Sequence, residues 1–255
     1  MDFREKVFKI VSHISKGNFL TYKKVAELVG EPKAYRAIGN ILAKNRNIKI
    51  PCYRVIRNDN LVGGFYGDKN LDWQKTARLL KDGVMGVIPT DTIYGICASA
   101  LNKKSVEKVY KLRKRNPKKP MIILISSFDD LKLFGVGIDK KRKAILKKFW
   151  LQGKRLRKIS VILKCPLKKF AYLHRETKTL AFRLSKNKEL IKILKISGPL
   201  VAPSANWEGY KPAQNISQAK KYFGGKVFYF DKGKIISKPS MLVDLTSLPP
   251  KILRS

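Results

Sequence analysis

Histidine is almost missing from this chain. His13 and His174 are the only two in 255 residues, and neither stands in a motif. Any site here must run on other groups, with arginine and hydroxyls the abundant candidates. Cysteine is sparse as well: Cys52, Cys97 and Cys165 are odd in number and far apart. That argues against a disulfide framework or a CxxC metal site and for a reducing compartment. Acidic residues are few, 18 against 56 Lys+Arg, giving a formal charge of +38. No apolar run approaches the ~18 residues of a spanning helix, and the start, MDFREKVFKI, is charged and amphipathic rather than signal-like. The expectation is a cytoplasmic protein with no membrane partner, in which the sequon Asn215-Ile216-Ser217 carries no meaning. A GxxxxGK[ST] loop is also lacking, so a bound nucleotide must be held without one.

What is present in excess is positive charge. It is spread along the chain, +8 over residues 1–70 and +30 over the remainder. Such a field favours polyanions through counterion release and steered encounter, which makes nucleic-acid contact the expectation over a merely solvated surface. The 44% hydrophobic content and the length allow one large domain or two.

Phe3, Val7, Ile10, Val11 and Ile14 fall at helical spacing. Thr21 is placed to N-cap a second helix, TYKKVAELV, ended by Gly30, and a third is expected from Lys33 with Pro32 before it. Two short helices about a glycine turn form a helix-turn-helix pattern. Beyond Gly64 strands and helices alternate, from VMGVI (84–88) and MIILI (121–125) through SVIL, LAFRL and PLVAP to KVFYF and MLVDL, the texture of an α/β domain. No Pro/Gly/Ser-rich linker divides the two parts. DWQKTARLLKDG, with Asp72 as N-cap and Gly83 as stop, reads as one helix over 72–82 shared between a unit at 1–70 and a domain at 71–255.

The stretch GNFLTYKKVAELVGEPKAYRAIGNILAKN, followed by IPCYRVI and LVGGFYG, resembles the DNA-binding domain of alkylguanine-DNA alkyltransferases and their alkyltransferase-like relatives. The resemblance implies a winged-helix-like unit contacting DNA through residues 20–66. In it Tyr22 presses on the target phosphate, Arg36 fills the gap left by a flipped base, and Asn45 supports the loop of Cys52, the alkyl acceptor. Ala34, Ala37 and Gly39 would allow the recognition helix a close approach. The family activates its cysteine with a histidine backed by a glutamate. Here Tyr53 and Asp82 stand in those places, and Tyr66 stands where a small residue lines the base pocket. A thiol of ordinary pKa near 8.5 needs a base or cation, which leaves Arg54 as the neighbour able to lower the pKa of Cys52.

In the larger part GVIPTDTIYGI ends a strand in hydroxyls and a carboxylate, VYKLRKRNPKKPMIILI puts a basic turn before an apolar strand, and GPLVAPSANWEG ends another strand in hydroxyl and amide groups. Strand ends of this kind hold ligands in α/β folds, and arginines there can clamp phosphate oxygens. In this order the three stretches resemble the YrdC-like family of L-threonylcarbamoyladenylate synthases. The implied fold is α/β, a twisted, mostly parallel or mixed sheet with a concave basic face. The implied reaction joins ATP, L-threonine and bicarbonate into threonylcarbamoyl-AMP and pyrophosphate, with Mg²⁺ accompanying ATP, for modification of adenosine in tRNA. Carried over by residue, Arg113 and Arg115 are catalytic, Thr92, Lys164 and Ser240 meet threonine, and Lys119, Ser160, Arg183, Ser204 and Asn206 meet ATP; no metal-binding side chain is assigned. The segments WLQGKRLRKISVIL, DKG (231–233) and PSML (239–242) depart from the family pattern.

Three readings follow: a synthase with an appended nucleic-acid-binding module, a DNA-alkylation repair or sensing protein carrying an inactive domain, and a non-catalytic binder of double-stranded RNA or DNA.

Overall fold

The computed structural model describes residues 1–63, 68–152 and 158–254. Helix α1 (Phe3–Ser12) starts in a capping box: the Glu5 amide donates to Asp2 at 2.7 Å, and the Asp2 amide donates to Glu5 at 3.0 Å. Helix α2 (Tyr22–Val29) is capped by the Thr21 hydroxyl, which accepts from the Lys24 amide at 3.1 Å, and it stops at Gly30, whose φ of 91° suits glycine. Helix α3 (Tyr35–Lys44) begins later than Lys33, because the Ala34 amide closes a turn onto the Glu31 carbonyl at 2.9 Å. The three helices enclose Val7, Val11, Val25, Ile38, Leu42 and Cys52, while a short parallel pair, β1 (Leu20–Thr21) and β2 (Val55–Ile56), draws the cysteine segment against them.

This small module is built into the rest of the molecule. After β2 the chain doubles back, and the Val62 amide donates to the Tyr229 carbonyl at 2.8 Å while the Tyr229 amide donates to the Asn60 carbonyl at 2.9 Å. Residues 60–62 thus cover the edge of the main sheet. Helix α4 (Asp72–Lys81) follows; Leu71 takes the N-cap position and Asp72 is the first helical residue, where its charge still suits the helix dipole. Ala77, Leu79 and Leu80 of α4 share one buried cluster with Ile56 and Val62 on one side and with Leu190, Ile193 and Leu194 of helix α8 (Lys188–Ser197) on the other. At about 1.5–3 kcal/mol for each large apolar side chain kept from water, this shared cluster holds the two parts in register.

The main sheet contains β3 (Gly86–Pro89), β4 (Tyr94–Ser99), β5 (Ile123–Ile125), β6 (Ile159–Lys164), β7 (Thr179–Leu184), β8 (Leu200–Val201), β9 (Phe228–Tyr229), β10 (Met241–Asp244) and β11 (Lys251–Arg254). Their order is β11-β10-β6-β7-β5-β8-β4-β3-β9. The sheet is mixed, the second of the two forms that the family resemblance implies. Only β10/β6, β5/β7 and β3/β9 run parallel among the described neighbours. The turn Thr90–Ile93 is too short for a crossover, so β3 and β4 must form a hairpin.

Alternation along the strands assigns the two faces. Val161, Leu163, Leu180 and Phe182 pack with Val106 and Val109 of α5 (Lys103–Leu112), Leu146 of α6 (Lys140–Lys147), Leu173 of α7 (Ala171–His174) and Ala219 of α9 (Ile216–Phe223). On the opposite face Ile88, Cys97, Leu124, Leu200 and Phe228 pack under α4 and α8. Gly86 is required there, since a Cβ would lie 2.2 Å from the Phe228 ring. That second face continues across β7, β6 and β10 as Thr179, Ala181, Arg183, Ile162 and Leu242, which line open cavities instead. Between β5 and α6 the chain forms a 3₁₀ stretch, Phe128–Phe134. No described helix is long and apolar enough to cross a membrane.

Candidate active site and nucleic-acid interface

Two cavities lie on the uncovered face, of about 400 Å³ and about 160 Å³, and both are lined by Ile122, Pro203, Ser204 and Arg254. They form one basin with a wide and a narrow end. Arg113, Arg115 and Thr179 line the wide end; Thr90, Thr92, Arg183 and Ser240 line the narrow one.

Arg113 is held by three hydrogen bonds. Its Nε donates to the Asn206 carbonyl at 3.0 Å, and its Nη2 donates to Asn206 Oδ1 at 3.1 Å and to Ser204 Oγ at 3.2 Å. Its Nη1 is buried with no acceptor among the described residues. Burial, with Arg115 beside it, pushes its pKa down to about 10, so it remains charged at neutral pH. Arg183 is also buried, and desolvation lowers its pKa. Its Nη1 reaches Thr92 Oγ1 at 3.5 Å, while its Nε has no described acceptor. Two buried guanidinium groups with unspent donors make a costly arrangement that a bound anion would relieve. Asp91 balances part of the charge: its Oδ1 accepts from Ser185 Oγ at 2.9 Å and from the Asn187 amide at 3.1 Å, and its Oδ2 is buried without a described partner.

The hydroxyls are tied together. Thr90 and Thr92 lie 3.3 Å apart, and Ser160 and Ser240 lie 2.9 Å apart. The altered DKG segment is tied to β4, because Tyr94 Oη lies 2.8 Å from the Gly233 carbonyl and 3.2 Å from Asp231 Oδ1. Arg115 donates to the carbonyls of Lys119 and Pro120 at 3.1 and 2.8 Å, which fixes the turn before β5 and leaves the guanidinium at the wide end.

Not every expected residue lines the basin. Lys164 is exposed at the end of β6 opposite Thr179, outside the lining of either cavity. Lys119 reaches outward, its Nζ paired with Glu208 at 3.2 Å and its side chain 62% exposed. Asn206 spends its amide on the Trp207 and Tyr210 carbonyls at 2.7 and 2.6 Å, so it positions Arg113. Ser160 is buried behind Ser240. Arg254, which lines both ends and donates to the Ser240 carbonyl at 3.1 and 2.8 Å, was missed by sequence reasoning. Nothing in KILRS sets one arginine apart from the other basic residues of so cationic a chain. The rim beside Thr177 is unusual in holding Arg175, Glu176 and Lys178 at φ of 46°, 70° and 55°, a conformation disfavoured for side-chain-bearing residues.

In the first module, Tyr22, Arg36 and Arg57 line a hollow of about 380 Å³. Arg36, Ala37 and Asn40 are exposed on α3, which leaves a thin helix face open to a groove. Asn45 Nδ2 donates to Cys52 Sγ at 3.1 Å. Burial raises the Cys52 thiol, with the Asn45 contact and the charge of Lys75 working against it. Arg54 does not serve Cys52 as expected: its Nε donates to Asp82 at 2.8 Å, its Nη2 pairs with the same carboxylate at 2.6 Å, and its Nη1 donates to the Ile14 carbonyl. The cation facing the thiol is Lys75, wholly buried with its pKa pushed down to about 8 and its ammonium 5.7 Å from the Tyr22 ring centre. Desolvation pushes Tyr22 up to about 12. The Tyr66 position lies outside the described residues, as do residues 153–157 of the lengthened basic loop.

Two family signatures match the chain, overlapping at residues 78–84. The family signature described as Telomere recombination, covering Sua5, YciO and YrdC proteins, matches residues 78–255. That for the DNA-binding domain of 6-O-methylguanine DNA methyltransferase matches residues 2–84. A threonylcarbamoyl-AMP synthase from Pyrococcus abyssi is 28% identical over 181 residues, covering 70% of this chain and 52% of its own length. The crystal structure of P. abyssi Sua5 complexed with L-threonine superposes with a TM-score of 0.62 at 27% identity, over 72% of this chain and 53% of that one. The chain thus spans about half the length of these relatives. A methylated-DNA–protein-cysteine methyltransferase from Methanosarcina barkeri is 46% identical over 67 residues, covering 25% of this chain and 41% of its own.

Proposed function

The chain belongs to the Sua5/YciO/YrdC family, and from that premise we propose that it is an L-threonylcarbamoyladenylate synthase carrying a nucleic-acid-binding module. One observation carries the reading: Arg113 and Arg183, buried with unspent N–H donors, share a basin with Arg254 and the hydroxyls of Thr92, Ser204 and Ser240. A nucleoside triphosphate and a hydroxy-amino acid together supply the acceptors these groups lack.

The wide end takes ATP, with Arg113 and Arg115 on the phosphates, Ser204 between the two ends and Asn206 holding Arg113 in place. The narrow end takes L-threonine, with Thr92 and Ser240 at its polar groups and Arg183, expected at ATP, at its carboxylate in place of Lys164. Lys119 and Ser160 support from outside the lining. The threonine amine adds to bicarbonate and loses water, giving a carbamate. A carbamate oxygen then attacks the α-phosphorus of ATP, the bond to the bridging oxygen breaks, and pyrophosphate leaves. Negative charge builds on the phosphate oxygens during this step, so fixed guanidinium groups in a partly dry basin lower the barrier without a protein nucleophile. Mg²⁺ arrives on the triphosphate as part of the substrate; among the described residues no group of three carboxylate, cysteine or histidine side chains gathers to hold a metal.

The product would serve threonylcarbamoyl modification of adenosine in tRNA. The first module binds nucleic acid, DNA or a structured RNA, through α3, with Arg36 entering the stack and Tyr22 at a phosphate. Cys52 has Tyr53 where the family's activating histidine stands, and burial raises its thiol, so alkyl transfer is the weaker reading. Full-length protein incubated with ATP, L-threonine and ¹³C-bicarbonate should yield labelled threonylcarbamoyl-AMP by mass spectrometry. Formation of ADP or AMP alone would refute the reading.

A further inference from the structure

We propose that Tyr210, with Trp207, Tyr222 and the lysines around them, is a stacking platform for an unpaired base of a single-stranded nucleic acid. Trp207 and Tyr210 meet edge to face at 5.8 Å, Trp207 and Tyr222 at 5.4 Å, and Tyr210 and Tyr222 at 6.4 Å. Tyr222 is fixed further by donating its hydroxyl to the Lys211 carbonyl at 2.9 Å. Trp207 and Tyr222 are half-buried against the main core, while Tyr210 is 60% exposed. An aromatic ring held by two others and offered to solvent presents a preformed face on which a base can stack.

The surrounding charge identifies the occupant. Lys114 sits with φ at 51°, a disfavoured conformation, and its ammonium lies 4.0 Å from the Trp207 ring centre. Lys118, Lys211 and Lys221 are exposed on the flanking segments. The nearby acid is committed: Glu208 accepts from the Asn116 amide at 2.5 Å and from Lys119 at 3.2 Å, and lies 4.0 Å from Arg115. Protein interfaces are depleted in lysine at their centres, whereas aromatic rings interleaved with cations suit a single strand, with bases on the rings and phosphates on the amines. A duplex keeps its bases stacked and offers no free face to Tyr210. This surface is separate from α3, and it hangs on the loop whose Asn206 holds Arg113, so a strand bound here would lie beside the basin.

The test measures anisotropy of a labelled single-stranded oligoadenylate, and of a duplex of matched length, with the full chain and its Tyr210→Ala and Tyr210→Phe variants. Thermal melting confirms that each variant is folded. Tyr210→Ala should weaken single-strand binding about tenfold while Tyr210→Phe stays within about twofold, with duplex binding unchanged in both. Unchanged single-strand affinity in Tyr210→Ala would overturn the proposal and leave the ring to a protein contact. Equal loss on single strand and duplex would overturn it in favour of unspecific charge.

Discussion

Tyr53 donates its hydroxyl proton to the Asp82 carboxylate at 2.8 Å. The pair preserves the hydrogen bond expected between a base and its orienting acid, with a phenol in place of the base. A phenol whose pKa burial raises further takes up no proton at neutral pH, and the Cys52 thiol beside it is raised as well.

Cys52 in the folded protein should therefore alkylate with iodoacetamide more slowly than an unstructured cysteine at pH 7.5, and its rate should still be climbing above pH 9. Mass-spectrometric labelling across pH checks this. A plateau reached below pH 8 would mean an activated thiolate.

Lys75 gives a second signature. Its pKa is about 8 when folded against 10.5 for the free side chain, so the unfolded chain holds more protons between those values. The cost of burying the ammonium is fully present below about pH 8 and disappears as pH rises towards 10.5. The stability of wild type relative to Lys75→Met should improve between pH 7 and pH 10, read from urea midpoints. A gap that does not change with pH would place the lysine in water.

Arg254→Ala removes the cation common to both ends of the basin. The loss of a charge-assisted contact, about 2–3 kcal/mol, corresponds to roughly 30–150-fold in kcat/KM for ATP. Unaltered kinetics would remove Arg254 from the site.

Asn206 and Lys119 should separate. Asn206→Ala strips partners from buried Arg113 and from the Trp207 and Tyr210 carbonyls, destabilising the fold by about 1–3 kcal/mol and abolishing turnover. Lys119→Ala breaks an exposed pair with Glu208 and should change stability by less than about 1 kcal/mol. Thermal melting and turnover of both variants compare them.

Much of this was legible in the chain because strand and helix periods, caps and glycine stops act locally. Thr21 and Gly30 bound α2 where the sequence places them, and the hydroxyls of Thr92 and Ser204 line the basin. What the chain concealed depends on pairing between distant segments. Residues 60–62 meet Tyr229 across the fold, and no local pattern marks an edge strand so brief. Lys75 takes the place expected of Arg54, because Asp82 claims the arginine and α4 carries the lysine to Cys52. Lys164 falls outside the cavities because its strand ends in solvent, a matter of length rather than residue type.

The central claim is that one cationic basin holds a nucleoside triphosphate and an amino acid together. Pyrophosphate release from ATP by the purified full-length chain, measured with and without L-threonine and bicarbonate, tests it most directly. Release that requires both and is lost in Arg113→Ala is the predicted result; release indifferent to threonine, or none under any condition, would contradict it.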